Sequence, residues 1–238
     1  MRAAAEHLVG QVIAAHGGID RWSQVQTLTV RFSAGGLLFR LKGCTHGLEN
    51  ATVHYVRGQQ LGSAGSAGPR PWQLDIEAPD QLARDIRSIS TFPRPVRWSS
   101  HDLGTFAGAA MWTYLHLPFM LADPDVSVEL GPAWHGLRRL DFMVPAHHAT
   151  HSHAQSIYVD DDGLIRRHDY VALVLGRWAH AVHRCDDYRW FDGIAFATRR
   201  LVTPSLFGAV LTHPTMVHIA VDTLALGSAD GAGRPPRE

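Results

Sequence analysis

The stretch Thr150-His-Ser-His-Ala-Gln-Ser-Ile-Tyr-Val-Asp-Asp-Asp-Gly-Leu-Ile-Arg-Arg-His-Asp-Tyr170 decides how this chain is read. Asp160 to Gly163 is a turn signal, because Asp and Gly accept the positive φ that tight loops need. On either side, Gln155 to Val159 and Leu164 to Leu175 alternate with the period of two that marks strands. A four-residue loop sets Val159 opposite Leu164, Gln155 opposite His168 and His153 opposite Tyr170. Alternation then gathers His151, His153, Gln155, Arg166, His168 and Tyr170 on one face. A slip of one residue exchanges the last three for Arg167 and Asp169, because every side chain changes face.

The alternation continues in both directions. Val126 to Leu130 and Leu137 to Val144 precede the hairpin, and Trp178 to Tyr188, Ile194 to Val202 and Met216 to Leu226 follow it, with Phe191-Asp-Gly193 as a second turn. These strands, joined in sequence, describe an antiparallel meander. Upstream, Leu8, Val9, Val12 and Ile13 give a helix over Ala3 to Ala15 that stops at Gly17-Gly18. Val25 to Phe32, Gly35-Gly36 and Leu37 to Leu41 read as a β-hairpin, and Ala51 to Arg57 and Trp72 to Glu77 as two further strands. Gly62 to Pro69, between those two, reads as a flexible loop. Leu103 to Leu121 is apolar nearly all round, so a helix there is buried. It is expected against the concave face of the sheet, with Pro118 closing it and Phe119 packed below. The expected fold class is mainly β (α+β): an antiparallel β half-barrel or barrel with an N-terminal helix and a buried central helix. One ligand-binding domain is expected over residues 1–226, with a disordered tail over 227–238.

Composition narrows the function. The 22 basic and 22 acidic residues cancel, which leaves no field to draw the chain toward nucleic acid or anionic membrane. Apolar residues are 45% of the chain, enough for a sizeable core. No run approaches the roughly 18 apolar residues of a membrane helix, so no integral membrane contact is expected. The N-terminal Met1-Arg-Ala-Ala-Ala-Glu-His has no apolar core of signal-peptide length behind it, and Cys44 and Cys185 lack metal or redox spacing. A cytoplasmic chain with buried thiols is the expectation. Glycine-rich phosphate loops, nucleophile elbows and dinucleotide fingerprints are missing, so no common cofactor is indicated.

Sixteen histidines are unusually many for this length, and their placement suggests chemistry. One reading is general acid–base catalysis: His151, His153 and His168 exchange protons, Asp169 orients them, and Tyr170 with Arg166 steadies developing charge. A second is a divalent metal held by the His-x-His pair with His168 or His183. A third is a solvated polar hairpin face. Trp112, Tyr114 and Phe119 on the buried helix, with Gln155, Arg166 and His183, are the candidate ligand-binding residues. In the tandem Arg138-Arg139, Arg166-Arg167 and Arg199-Arg200, one guanidinium of each pair turns inward. It must then find Asp141, Asp169, Asp186 or an anionic ligand.

The chain resembles a family of uncharacterised bacterial proteins of actinobacteria and proteobacteria. The stretches that carry the resemblance are Ala14-Ala-His-Gly-Gly-Ile-Asp-Arg-Trp22, Gly35-Gly-Leu-Leu-Phe-Arg-Leu-Lys-Gly43, Phe106 to Phe119, Thr150-His-Ser-His-Ala-Gln155, Asp162 to Tyr170 and Asp192 to Arg200. More distantly, the order of helix, hairpin, strands, buried helix and meander resembles the lipoprotein-carrier superfamily of LolA and LppX type. That likeness implies an open half-barrel that holds acyl chains. The residues themselves suggest a small hydrophobic or amphiphilic molecule acted on by proton transfer, as in a cofactor-independent cyclase, isomerase or lyase. The alternatives are a non-catalytic carrier of a lipid-like ligand and a His-ligated metal enzyme.

Overall fold

The computed structural model describes residues 2–68, 71–206 and 209–228 of the chain. Helix α1 (Arg2–Ala15) is followed by the short α2 (Ile19–Gln24) and the long strand β1 (Val25–Gly35). A single helical turn, α3 (Leu37–Leu41), leads to β2 (Leu48–Val56), β3 (Gly62–Ser66) and β4 (Trp72–Ile76). Helices α4 (Pro79–Ser90) and α5 (Ser100–Met120) come next. The second half contains β5 (Ser127–Trp134), β6 (Leu137–Met143), β7 (Ala154–Val159) and β8 (Ile165–Val171). It ends with β9 (His180–Phe191), β10 (Ile194–Leu206), the short β11 (Ala209–Val210) and β12 (Val217–Ser228).

The strands pair antiparallel in the order β4-β3-β2-β1-β12-β10-β9-β8-β7-β6-β5, with β11 beside β10. Among the described residues β4 and β5 are left as the two free edges, so the sheet is an open half-barrel rather than a closed one. β12 joins the halves by pairing with both β1 and β10.

Helix α5 lies in the concavity, and its sequence explains why. Ser99 and Asp102 form a reciprocal capping box, with the Asp102 N–H donating to Ser99 Oγ at 3.1 Å and the Ser99 N–H to Asp102 Oδ2 at 2.8 Å. From Leu103 to Met120 every residue is buried, so all sides of the helix need apolar cover. Gly104 and Gly108, one turn apart, admit β4. A Cβ on Gly104 would stand 2.9 Å from the Trp72 ring, and one on Gly108 3.3 Å from Ile76. The Tyr55 hydroxyl closes the contact by donating to Gly108 O at 2.6 Å.

Several sequence expectations are corrected. Leu37 to Leu41 is helical, not the second arm of a hairpin. Gly36 turns the chain at φ 128°, where a Cβ would sit 2.4 Å from Met216 O, and the N–H groups of Leu37 and Leu38 donate to Thr215 O and Met216 O. Gly62 to Ser66 is strand β3, paired on both sides, rather than loop; Pro69 falls outside the described residues. Helix α4 is not among the expected elements, although Leu82, Ala83, Ile86 and Ile89 recur at helical spacing and are all buried. β12 runs through Gly227 and Ser228, so the boundary at 226 is too early, and the rest of the expected tail lies outside the described residues.

Pro118 does not close α5; the helix continues to Met120. Proline has no N–H, so the carbonyl four residues back, that of Tyr114, loses its partner within the helix. Arg200 of β10 fills the gap, its Nη2 donating to Tyr114 O at 3.2 Å. Arg200→Met should therefore orphan this carbonyl, whereas Pro118→Ala restores a helical donor. In urea denaturation the cost of Arg200→Met is expected to be about 1–2 kcal/mol smaller in the Pro118→Ala background than in the parent. Equal costs would show that the two residues do not share that carbonyl.

Candidate functional site

The site is built from adjacent rungs of the sheet. One rung places Val202, His183, His168, Ile157 and Leu140 side by side across β10 to β6. The next holds Ala181, Tyr170, Gln155 and Phe142, and the rung on the other side pairs Arg200 with Cys185. Gln155 thus faces Tyr170, two positions from the expected partner His168. Two one-residue offsets add to this shift. The loop has five residues, so Val159 pairs with Ile165, and a bulge at Arg166 then sets Tyr158 opposite Arg167. Because the shift is even, His168 and Tyr170 keep the inner face.

Against α5 these residues make a nest of rings. The hydroxyls of Tyr114 and Tyr170 are 3.1 Å apart and hydrogen-bonded. His151 lies edge-on to Tyr170 at 4.4 Å between ring centres, and His183 edge-on to Tyr114 at 4.5 Å. His168 is 5.0 Å from Tyr170 and stacks on His183 at 5.8 Å. The Arg200 guanidinium covers Tyr114 at 5.0 Å and donates to Cys185 Sγ at 3.3 Å. No carboxylate among the described residues pairs with Arg200, although the sequence had suggested one.

The hydrogen-bond network fixes one tautomer. The Gln155 amide N–H group donates to Thr150 Oγ1 and Ser152 O, which turns Gln155 Oε1 toward His168. His168 Nε2 must then carry the proton and donate to that oxygen, at 2.6 Å, leaving Nδ1 a bare acceptor with no partner. Neither ring nitrogen of His151 or of His183 has a partner. Burial holds the His151 imidazole down to about 4. It also pushes His168 and His183 well below their ordinary value, helped by Arg200 and the neighbouring imidazoles. The three rings are therefore uncharged at neutral pH. Burial raises Tyr114 to about 12 and Tyr170 well above its ordinary value, so both keep their protons.

Other candidates stand apart from this nest. His153 Nδ1 donates to Val144 O at 3.1 Å, in the loop ahead of β7. Arg166, in the bulge, is paired with Asp160 and lies over Tyr188. Asp169 faces the opposite side of the sheet, where it takes two hydrogen bonds from Arg167 at 2.7 and 2.6 Å. It therefore orients none of the three imidazoles. Trp112 donates to Gln59 O and stacks on His116, and Phe119 stacks on Trp22 at 4.3 Å; both border a separate hollow near α2. Among the described residues no group of three or more His, Cys, Asp or Glu is placed to hold a metal ion. Cys44 and Cys185 are buried thiols, as expected.

Beside the nest lies a cavity of about 340 Å³, within the range typical of small-molecule sites. Phe32 and Ala34 of β1, Leu38 and Phe39 of α3, and Phe106, Ala110 and Met111 of α5 line it. Tyr114, Tyr170 and His151 supply polar groups on the side of the nest, and His180, Thr203 and Ser205 are further polar lining residues. The exposed Leu41, Trp178 and Leu206 stand at its rim. Sequence reasoning missed the α3 lining, because Leu37 to Leu41 was read as strand. It noted the Arg199-Arg200 pair without ranking it. Strand alternation, with Thr198 and Arg200 buried and Arg199 exposed, was the available signal.

No protein-family model matches the chain, and no curated protein matches it significantly. Among solved structures it is similar to a DUF1329 family protein from Desulfovibrio piger ATCC 29098, at 12% identity over 93% of this chain and 92% of the other, with a TM-score of 0.45. It is also similar to a LolA superfamily protein from Nitrosomonas europaea, at 9% identity over 94% of each chain, with a TM-score of 0.43. The open antiparallel sheet with a buried central helix is the half-barrel architecture expected from the order of elements. No helix among the described residues is long and apolar enough to cross a membrane.

The uncharged imidazoles give stability a definite pH dependence. Burial also holds His16 and His116 at about 4, as it does His151, against 6.5 for an ordinary imidazole. Their contribution is complete above pH 6.5. As pH falls toward 4 the unfolded chain takes up protons that the folded chain refuses, and each such group costs about 1.4 kcal/mol per pH unit. The urea midpoint should drop steeply between pH 6.5 and 4, and less steeply in His183→Phe. A flat profile in the parent would mean that these rings take up protons in the folded protein as readily as in the unfolded chain.

Proposed function

We propose that this chain binds one largely apolar small molecule in the cavity between α3, α5 and the sheet, as a non-catalytic binding or carrier protein. The observation that carries the reading is the cavity itself: ligand-sized, walled by aliphatic and aromatic side chains, and rimmed by exposed apolar residues. Its lining atoms have packing partners on one side only, and an apolar occupant supplies the missing dispersion contacts. Removing the rim and lining from water adds about 25 cal/mol per Å² of apolar surface.

Proton-transfer chemistry on the bound molecule, of the cyclase, isomerase or lyase kind, is the less favoured reading. Of the proposed acid–base residues, His151 and Tyr170 border the cavity, while His153 and Asp169 are engaged elsewhere. His151 has no carboxylate partner to orient it or raise its basicity.

The fluorescent apolar probe N-phenyl-1-naphthylamine tests the reading. It is expected to bind the parent protein, and Ala110→Trp, which fills the cavity from α5, should weaken binding at least about tenfold with the circular dichroism spectrum unchanged. Equal affinity for the two proteins would contradict it. If Ala110→Trp does not fold, Ala107→Phe fills the same wall.

A further inference from the structure

The cavity wall also specifies the polar end of its occupant, an inference that rests on the binding reading above. None of the described residues lining the cavity is Lys, Arg, Asp or Glu. A charged head group would meet no permanently charged counter-ion there, and burying an unpaired charge is costly. Arg200, though buried, is not part of that wall; the Tyr114 ring lies over it at 5.0 Å.

The wall still has hydrogen bonds to give. His151 borders the cavity, its two ring nitrogens buried and unpartnered, and beside it stand the joined hydroxyls of Tyr114 and Tyr170. An uncharged imidazole offers one N–H donor and one bare nitrogen acceptor. Within the tyrosine pair one hydroxyl donates to the other, which leaves one hydroxyl proton available. A group that answers both must accept and donate while carrying no charge. An alcohol does so with a single oxygen. An ether only accepts, and an ionised carboxylate accepts while setting an anion against the imidazole lone pair.

We infer that the cavity selects an amphiphile with an apolar body and an alcohol end, its hydroxyl seated against His151 and the Tyr114 and Tyr170 hydroxyls. The apolar body then extends past Phe106 and Met111 toward the rim at Leu41 and Trp178.

Competition against bound N-phenyl-1-naphthylamine at about pH 8, where octanoate is ionised, tests this with 1-octanol, octanoate and methyl octyl ether. Octanol is expected to displace the probe at about tenfold lower concentration than either of the others. In His151→Phe that preference should shrink to about twofold or less; Tyr170→Phe, which removes one hydroxyl, should also narrow it and serves if His151→Phe does not fold. A parent protein that treats the three alike or prefers octanoate overturns the head-group inference while the cavity reading stands. So does a preference that both variants retain. Failure of the probe to bind, or equal binding by Ala110→Trp, overturns the cavity reading and this inference with it.

Discussion

From Leu103 to Met120, helix α5 has no polar face, so water must be kept from its whole circumference. That constraint organises the molecule. A flat sheet covers one side of a helix, whereas a sheet curled from β4 round to β5 covers more, and α1 and α4 lie against what is left. Gly104 and Gly108 let the cover approach closely at β4. On the side of α3 the cover stands off, and the space between is the cavity. The same helix that demands burial thus supplies the apolar wall of a ligand site.

A second consequence concerns the polar groups packed against that helix. Pro118 frees the Tyr114 carbonyl, Arg200 takes it, and the guanidinium is held under the Tyr114 ring beside His168 and His183. Its charge, together with burial, discourages protonation of those imidazoles. The nest is therefore a set of neutral donors and acceptors around two tyrosines rather than a relay of charges. Asp169, which the catalytic reading needed, serves on the far side of the sheet with Arg167, whose guanidinium lies over the rings of Trp134 and Tyr158.

Much of this was legible in the sequence. The turn at Asp160 to Gly163, the meander and the buried helix follow from local rules, because turn chemistry and period-two or all-apolar patterns do not depend on distant residues. Loop length and the bulge at Arg166 were not legible, since each adds one residue without changing composition. Their sum preserved the inner face for His168 and Tyr170 and, within β8, displaced Arg166. His151 reached the cavity for a different reason than the one expected. β7 begins at Ala154, and the loop before it is clamped by Gln60, whose amide bonds both the N–H and the carbonyl of Ala149. That contact spans 89 positions and has no local signature. Leu37 to Leu41 failed for a related reason: Gly36 and its bonds to Thr215 and Met216 overrule a strand-like composition.

The most direct measurement of the central claim is a crystal structure of the protein with ω-bromooctanol, located by the anomalous signal of bromine. Bromine should appear inside the cavity, toward the rim at Leu41 and Trp178, with the hydroxyl against His151 and Tyr170. Bromine elsewhere on the molecule, with the cavity unoccupied at saturating ligand, would contradict the account.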